Sequence, residues 1–186
     1  LRRRDKRRRC RISGDRKGKR GVIPDRVGIE ERPEVVNLRE RFGEGESDTV
    51  EGAKGKGLVA THVERKSRYT LIGKLADKKA ATLRRTTCGL MKGLPRKLRR
   101  TATLDNGKEF ADFKTIEHEL KLTVYFANPH SPWERGANEN TNGLLRDGLA
   151  KGSDIGQVTD AELAEIQEIQ KMLNHRPEKC LNYRTP

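Results

Sequence analysis

The sequence predicts an α/β sandwich, a mixed sheet of about five strands with helices on both faces. Two strand-like runs at 58–63 and 69–75 are joined by a tight polar link, and strand-like and helix-like segments then alternate to the end of the chain. Hairpin-linked strands followed by strand–helix alternation is the pattern of a mixed sheet covered on both faces. A chain of 186 residues, 32% hydrophobic and 37% charged, fits one domain with a modest core and a heavily charged surface.

The elements follow in order. Residues 1–21 read as a basic flexible arm, and residues 22–42, polar and holding Pro24 and Pro33, as an extended lead-in with a short helix over 33–41. The remaining 43–186 form the expected core. A short strand at 47–51 ends in the glycine-rich stretch 52–57. The strands 58–63 and 69–75 come next, then a helix over 78–92 with Ala81, Leu83, Leu90 and Met91 as its apolar contacts, closed by Gly93 and Pro95. A strand at 100–104 runs into Asp105-Asn106-Gly107. Phe110, Phe113, Ile116 and Leu120 recur at helical spacing, and Leu122, Val124 and Phe126 alternate as in a strand. Two prolines make 128–133 a loop, with Trp133 expected as its packing anchor rather than a base contact. A helix over 137–149 follows. The last helix opens on a capping box from Thr159 to Glu162, presents Leu163, Ile166, Ile169 and Met172 or Leu173, and stops at Pro177.

Charge is unevenly placed. Twelve of the 41 Lys and Arg lie in residues 1–20 against Asp5 and Asp15, so this segment carries +10 of the net +14. Such an arm is expected to be disordered alone and to attract polyanions through counterion release, whatever their sequence. Aromatic residues, at 4%, are too few for a broad stacking platform for single strands. No apolar run is long enough to span a bilayer and no amphipathic helix accompanies the charge, which places a membrane-surface role for the arm last. Cys10, Cys88 and Cys180 are odd in number and far apart, so neither a zinc site nor a disulfide framework is expected, and a reducing cytoplasm fits. His62, His118, His130 and His175 lack metal-ligand spacing and read as surface or structural residues.

Three acids stand in informative places. Asp105 sits where an apolar strand ends, at the sheet edge where ligands of open α/β sheets gather, although Asp-Asn-Gly is also ordinary turn chemistry. Asp48 lies inside a strand, which disfavours Asp unless an exposed edge or a function explains it. On the helix over 137–149, Arg135, Glu139, Asn142 and Arg146 fall on one face. Ala137, Thr141, Leu144 and Gly148 fall on the other, with Leu145 at the margin. The small and apolar side is expected on the sheet, leaving Glu139 and Asn142 open, as a solvated face would also be. Metal-assisted phosphoryl transfer is the chemistry that needs all three acids. Magnesium takes hard oxygen ligands, and carboxylates that repel one another are relieved by a cation.

Longer motifs surround these acids: Ile23-Pro24-Asp25-Arg26-Val27, Val63 to Thr70 (VERKSRYT), Leu104-Asp105-Asn106-Gly107-Lys108-Glu109-Phe110, Ser131-Pro132-Trp133-Glu134-Arg135-Gly136, Asn138 to Leu144 (NENTNGL), Arg176-Pro177 and Lys179 to Pro186. With thirty-three residues between Asp105 and Glu139, the chain from about residue 22 onward resembles the insertion-sequence-thirty family of integrase-type (DDE) transposases. The resemblance implies a ribonuclease H-like fold in which Asp48, Asp105 and Glu139 hold two magnesium ions, with manganese as substitute. It implies end cleavage and strand transfer on double-stranded DNA, both element ends and target, by a homo-oligomer on DNA. Arg135, Arg146, Asn142, Lys108, Lys66 and Arg68 form the candidate DNA-binding set, and Asn142 is a candidate to orient a metal-bound water.

Two stretches depart from the family pattern. A Trp usual just before the first acid is missing from residues 43–47 (GEGES), and an aromatic-containing segment is replaced by Asp147-Gly148-Leu149-Ala150. Loss of a buried Trp costs about 3–5 kcal/mol, a large share of a domain's stability. The alternative reading is therefore a catalytically impaired DNA-binding remnant of the same fold, and a nuclease for RNA–DNA hybrids is a third.

Overall fold

The computed structural model describes residues 23–51, 58–149 and 160–186. The expected arm at 1–21, the glycine-rich stretch at 52–57 and the Thr159 cap lie outside them.

Five strands form one sheet: β1 (Glu44–Glu51), β2 (Leu58–Glu64), β3 (Thr70–Leu75), β4 (Thr101–Leu104) and β5 (Thr123–Phe126), in the order β3-β2-β1-β4-β5. β1, β2 and β3 are antiparallel neighbours, whereas β4 and β5 run parallel to β1. The sheet is mixed, as the sequence predicts. The first strand is longer than expected, because Glu44, Gly45 and Glu46 pair with Thr101, Ala102 and Thr103. Helices α1 (Glu34–Leu38), α2 (Ala80–Met91), α3 (Phe113–Leu120), α4 (Gly136–Leu149) and α5 (Asp160–His175) complete the fold.

Alternation along the strands divides the core in two. One face carries Leu58, Ala60, Leu75, Ala102 and Leu104 against Leu83, Met91, Phe113 and Ile116 of α2 and α3. The other carries Val50, Val59 and Ile72 against Leu145, Ile166 and Ile169 of α4 and α5. Ala81, expected among the apolar contacts of its helix, is exposed instead.

Both sheet edges are closed, which removes an invitation to pair with other chains. At the β3 edge, amides of α5 replace a neighbouring strand. Gln170 Oε1 accepts the Ile72 N–H at 2.7 Å, and Asn174 accepts the Thr70 N–H and donates to the Thr70 carbonyl, each at 2.8 Å. At the β5 edge the lead-in runs alongside, with Gly28 bridging Phe126 and the Phe126 N–H donating to the Val27 carbonyl at 2.9 Å. Ile23, Arg32 and Val36 are buried, so residues 23–42 pack as part of the core unit rather than as a detached extension.

The stretch 43–47, where the resemblance leads one to expect a Trp, borders open space. On the α2 face, at the end of the sheet away from Asp105, Phe42, Gly43, Gly45, Met91 and Leu94 line an apolar cavity of about 320 Å³. On the other face the same strand buries two acids, Glu44 and Glu46, completely.

Candidate active site

Parallel pairing of β1 with β4 places Glu46 opposite Thr103, so two residues further on Asp48 and Asp105 stand at the same level on neighbouring strands. Asp48 is half-buried, and Asn142 Nδ2 donates to its Oδ2 at 3.1 Å. Asp105 leaves the strand into a turn closed by the Gly107 N–H, which donates to its Oδ1 at 2.9 Å. One guanidinium joins the two acids: Arg135 Nη1 lies 3.0 Å from Asp48 Oδ2 and Nη2 lies 3.9 Å from Asp105 Oδ2. Burial pushes the Asp105 carboxyl above the usual carboxylate range. The Asp48 charge adds to that, against the Gly107 hydrogen bond and the Arg135 charge.

Helix α4 brings the third acid. A 3-10 turn at Pro132–Arg135 leads directly into it, and its first turn is docked by a buried polar network. Glu46 Oε2 accepts the Asn138 N–H at 2.9 Å, serving as an acidic cap at the positive end of the helix. The Asn138 side chain donates to the Glu46 carbonyl at 3.1 Å, and Thr61 Oγ1 lies within 3.0 Å of both Asn138 Oδ1 and Asn142 Oδ1. Arg65 Nε, 2.9 Å from Glu46 Oε1, neutralises the buried acid. The register of α4, and with it the place of Glu139, is set by these contacts.

The same network corrects the predicted helix faces. Asn138, Asn142 and Leu145 are buried with Ala137 and Thr141, so the helix is turned relative to the expected packing of Ala137, Thr141, Leu144 and Gly148. Amides that find Thr61, Glu46 and Asp48 are stable against the sheet, whereas apolar spacing alone places them outside. Asn142 is therefore a buried partner of Asp48 and no open DNA contact.

Glu139 is exposed and shares with Asp48, Arg135, Asn142 and Arg146 a cleft of about 160 Å³. Asp105 opens on an adjoining cleft of about 550 Å³ with Arg26, Asn106, Asn128 and His130, and Arg135 lines both. Among the described residues no three His, Cys, Asp or Glu side chains are grouped closely enough to hold one ion together. The donor chemistry nonetheless suits a divalent cation. Asp48 and Asp105 already share one positive group, and magnesium needs only one or two protein carboxylates beside waters and substrate phosphates.

The remaining candidates separate. Arg146 and Lys108 are exposed, Arg146 in the cleft of Glu139 and Lys108 in the 3-10 turn after Asp105. Lys66 and Arg68 are not brought to the acids. They belong to the hairpin beyond Glu64, at the far end of β2, where Lys66 donates to the Glu40 carbonyl and lies over the Phe42 ring, and Arg68 Nε donates to Cys180 Sγ. Trp133 is 72% exposed, which overturns its expected role as a packing anchor. Sequence reasoning missed Glu46, Thr61, Arg65 and Asn138. The Asn138/Asn142 spacing of one helical turn beside Glu139 is the signal that could have found the last. It also missed Glu109, a buried carboxylate behind β1 that accepts from the Thr49 hydroxyl at 3.0 Å and lies 3.7 Å from Lys78.

Known proteins share both sequence and fold. The chain is 43% identical over 173 residues to the transposase for insertion sequence element IS4351 of Bacteroides fragilis, covering 93% of this chain and 52% of that protein. It is 42% identical over 168 residues to the transposase for IS1086 of Cupriavidus metallidurans, 90% of this chain and 49% of that protein. It is 39% identical over 173 residues to the InsI transposase for IS30A of Escherichia coli, 92% of this chain and 44% of that protein. The chain thus spans about half the length of these relatives. No family model matches. Among solved structures, the catalytic core domain of BIV integrase superposes with a TM-score of 0.59 at 18% identity, over 76% of this chain and 89% of that one. The simian T-cell lymphotropic virus intasome, solved with a PP2A regulatory subunit, gives 0.62 at 18% identity, over 76% of this chain and 51% of that one. Over about nine-tenths of its length the chain is related in sequence to insertion-sequence transposases, that of IS30A among them, and its fold is the ribonuclease H-like α/β fold seen in integrase cores.

Proposed function

We propose that this chain is the catalytic core of a transposase that carries out metal-dependent phosphoryl transfer on double-stranded DNA, cleaving element ends and joining them to a target. The observation that carries the reading is the level placement of Asp48 and Asp105 around one positive group, with Glu139 on the rim of the same cleft. Asp48, Asp105 and Glu139 would hold two magnesium ions, or manganese in their place. Bound there, paired ions supply Lewis-acid stabilisation of the attacking and leaving oxygens. The chain's own residues hold and orient. Glu46, Asn138 and Thr61 fix the helix of Glu139, Asn142 orients the Asp48 carboxylate, and the exposed Arg146 and Lys108 are placed to neutralise DNA phosphates. The basic segment 1–21 would add sequence-independent affinity. We expect a homo-oligomer on DNA, acting in the cytoplasm; no described helix is long and apolar enough to cross a membrane.

A second reading, an impaired DNA-binding remnant, is favoured by the apolar cavity beside the strand of Asp48. Incubating the protein with a labelled inverted-repeat duplex and magnesium or manganese separates the two. Metal-dependent nicking at the repeat supports the enzyme. Salt-sensitive binding with no cleavage in either metal supports the remnant.

A further inference from the structure

Arg135 stands where a cation shared by the two aspartates has to be. Its guanidinium contacts Asp48 Oδ2 at 3.0 Å and reaches toward Asp105 Oδ2 at 3.9 Å, and its side chain is 15% exposed. Beside these ion pairs it makes one long hydrogen bond, 3.4 Å, to the Ser47 carbonyl, and its buried Nε has no hydrogen-bond partner among the described residues. The guanidinium is therefore held mainly by its charge contact with Asp48, with Asp105 at longer range. It also lines both clefts, the one opening on Glu139 and the one opening on Asp105.

We propose that Arg135 is a resident counter-cation that occupies the acid pair until DNA draws it away, so that metal loading and DNA binding are coupled through one side chain. The inference rests on the reading of Asp48 and Asp105 as metal ligands. Without a metal, the guanidinium relieves the repulsion between two carboxylates at one level of the sheet. A divalent ion must displace it, so apparent metal affinity is lowered by the fraction of molecules in which Arg135 is docked. Arg135 ends the turn that leads into α4 and shares its cleft with the exposed Arg146. A swing outward puts two guanidiniums on that rim, where a phosphate can take Arg135 in a bidentate grip in place of the acids. Because coupling between two ligands is reciprocal, a duplex that captures Arg135 tightens metal binding, and metal tightens duplex binding.

Titration of manganese, with the free ion counted by electron paramagnetic resonance, reads this directly. In the absence of DNA, Arg135→Gln should bind manganese at least about fivefold more tightly than wild type, the lower end of typical coupling between sites. A short duplex should tighten manganese binding to wild type by more than it does in the variant. Arg135→Met, which keeps part of the aliphatic stem, replaces the glutamine variant if circular dichroism shows the latter unfolded. Unchanged or weaker manganese binding in the folded variant overturns the proposal. Asp105→Asn keeps the two levels apart. If it abolishes manganese binding while Arg135→Gln changes nothing, the coupling is wrong and the metal site stands. If it leaves manganese binding intact, the metal site is wrong and the coupling falls with it.

Discussion

Replacing Glu46 by Gln tests how the third acid is positioned. Glu46 is fully buried, receives the first-turn N–H of Asn138 and faces Arg65, itself only 5% exposed. Removing one charge strands the other, and a buried ion left without its partner costs about 3–5 kcal/mol. Domains of this size lose about 2–4 °C of Tm per kcal/mol, so a fall of roughly 10 °C is expected. Urea unfolding followed by circular dichroism should show a lower midpoint at unchanged slope. Arg65→Met alone should cost a similar amount, and pairing it with Glu46→Gln should recover most of the loss, because no buried charge is then left unpaired and the amide oxygen still accepts the Asn138 N–H. A loss below about 1 kcal/mol in Glu46→Gln, or no recovery in the double variant, would refute the claim that this ion pair holds the base of α4.

Other predictions follow from particular environments. Burial holds the His62 imidazole neutral down to about 4, against an ordinary value of 6.5, so its stabilising contribution is complete above about 6.5 and is lost as the pH falls from there toward 4. The full difference is about 3 kcal/mol, and His62→Gln should flatten the difference in unfolding midpoint between pH 7 and pH 4.5 by a matching amount. Because burial and the Asp48 charge raise the Asp105 carboxyl, its charged form opposes folding. Asp105→Asn should therefore melt higher than wild type in chelator-treated buffer at pH 7, while losing metal-dependent cleavage and little DNA affinity; a lower melt or full cleavage contradicts its assigned place. Trp133, 72% exposed, should be replaceable by Ala within about 0.5 kcal/mol of wild-type stability, with a several-fold loss of duplex affinity by anisotropy; a loss of about 3 kcal/mol would restore the packing role.

Much of the fold was legible because its signals are local. The strand-like run at 58–63, the alternation of Leu122, Val124 and Phe126, the helical spacing of Phe113, Ile116 and Leu120, and the proline-bounded loop before α4 all depend on neighbours in sequence. The candidate acids were legible through their motifs and through Asp105 at the end of a strand. What failed depends on partners far along the chain. Asn138 and Asn142 look like surface residues until Thr61, Glu46 and Asp48 are known to face them. Trp133 looks like an anchor until it is seen that no described element covers it. Arg135 reads as a phosphate contact because its helical face is open in sequence, yet a carboxylate pair on two other elements draws it inward. Lys66 and Arg68 carry the right charge, but the β1–β2 register holds them at the opposite end of the sheet.

The central claim is that Asp48, Asp105 and Glu139 serve one cation-binding centre. Anomalous diffraction from manganese-soaked crystals tests it most directly. Density is expected between Asp48 and Asp105, with Glu139 turned in from its rim to ligate at about 2 Å. Manganese bound only elsewhere, or held by the aspartates with Glu139 still facing solvent and no second ion beside it, would contradict the claim.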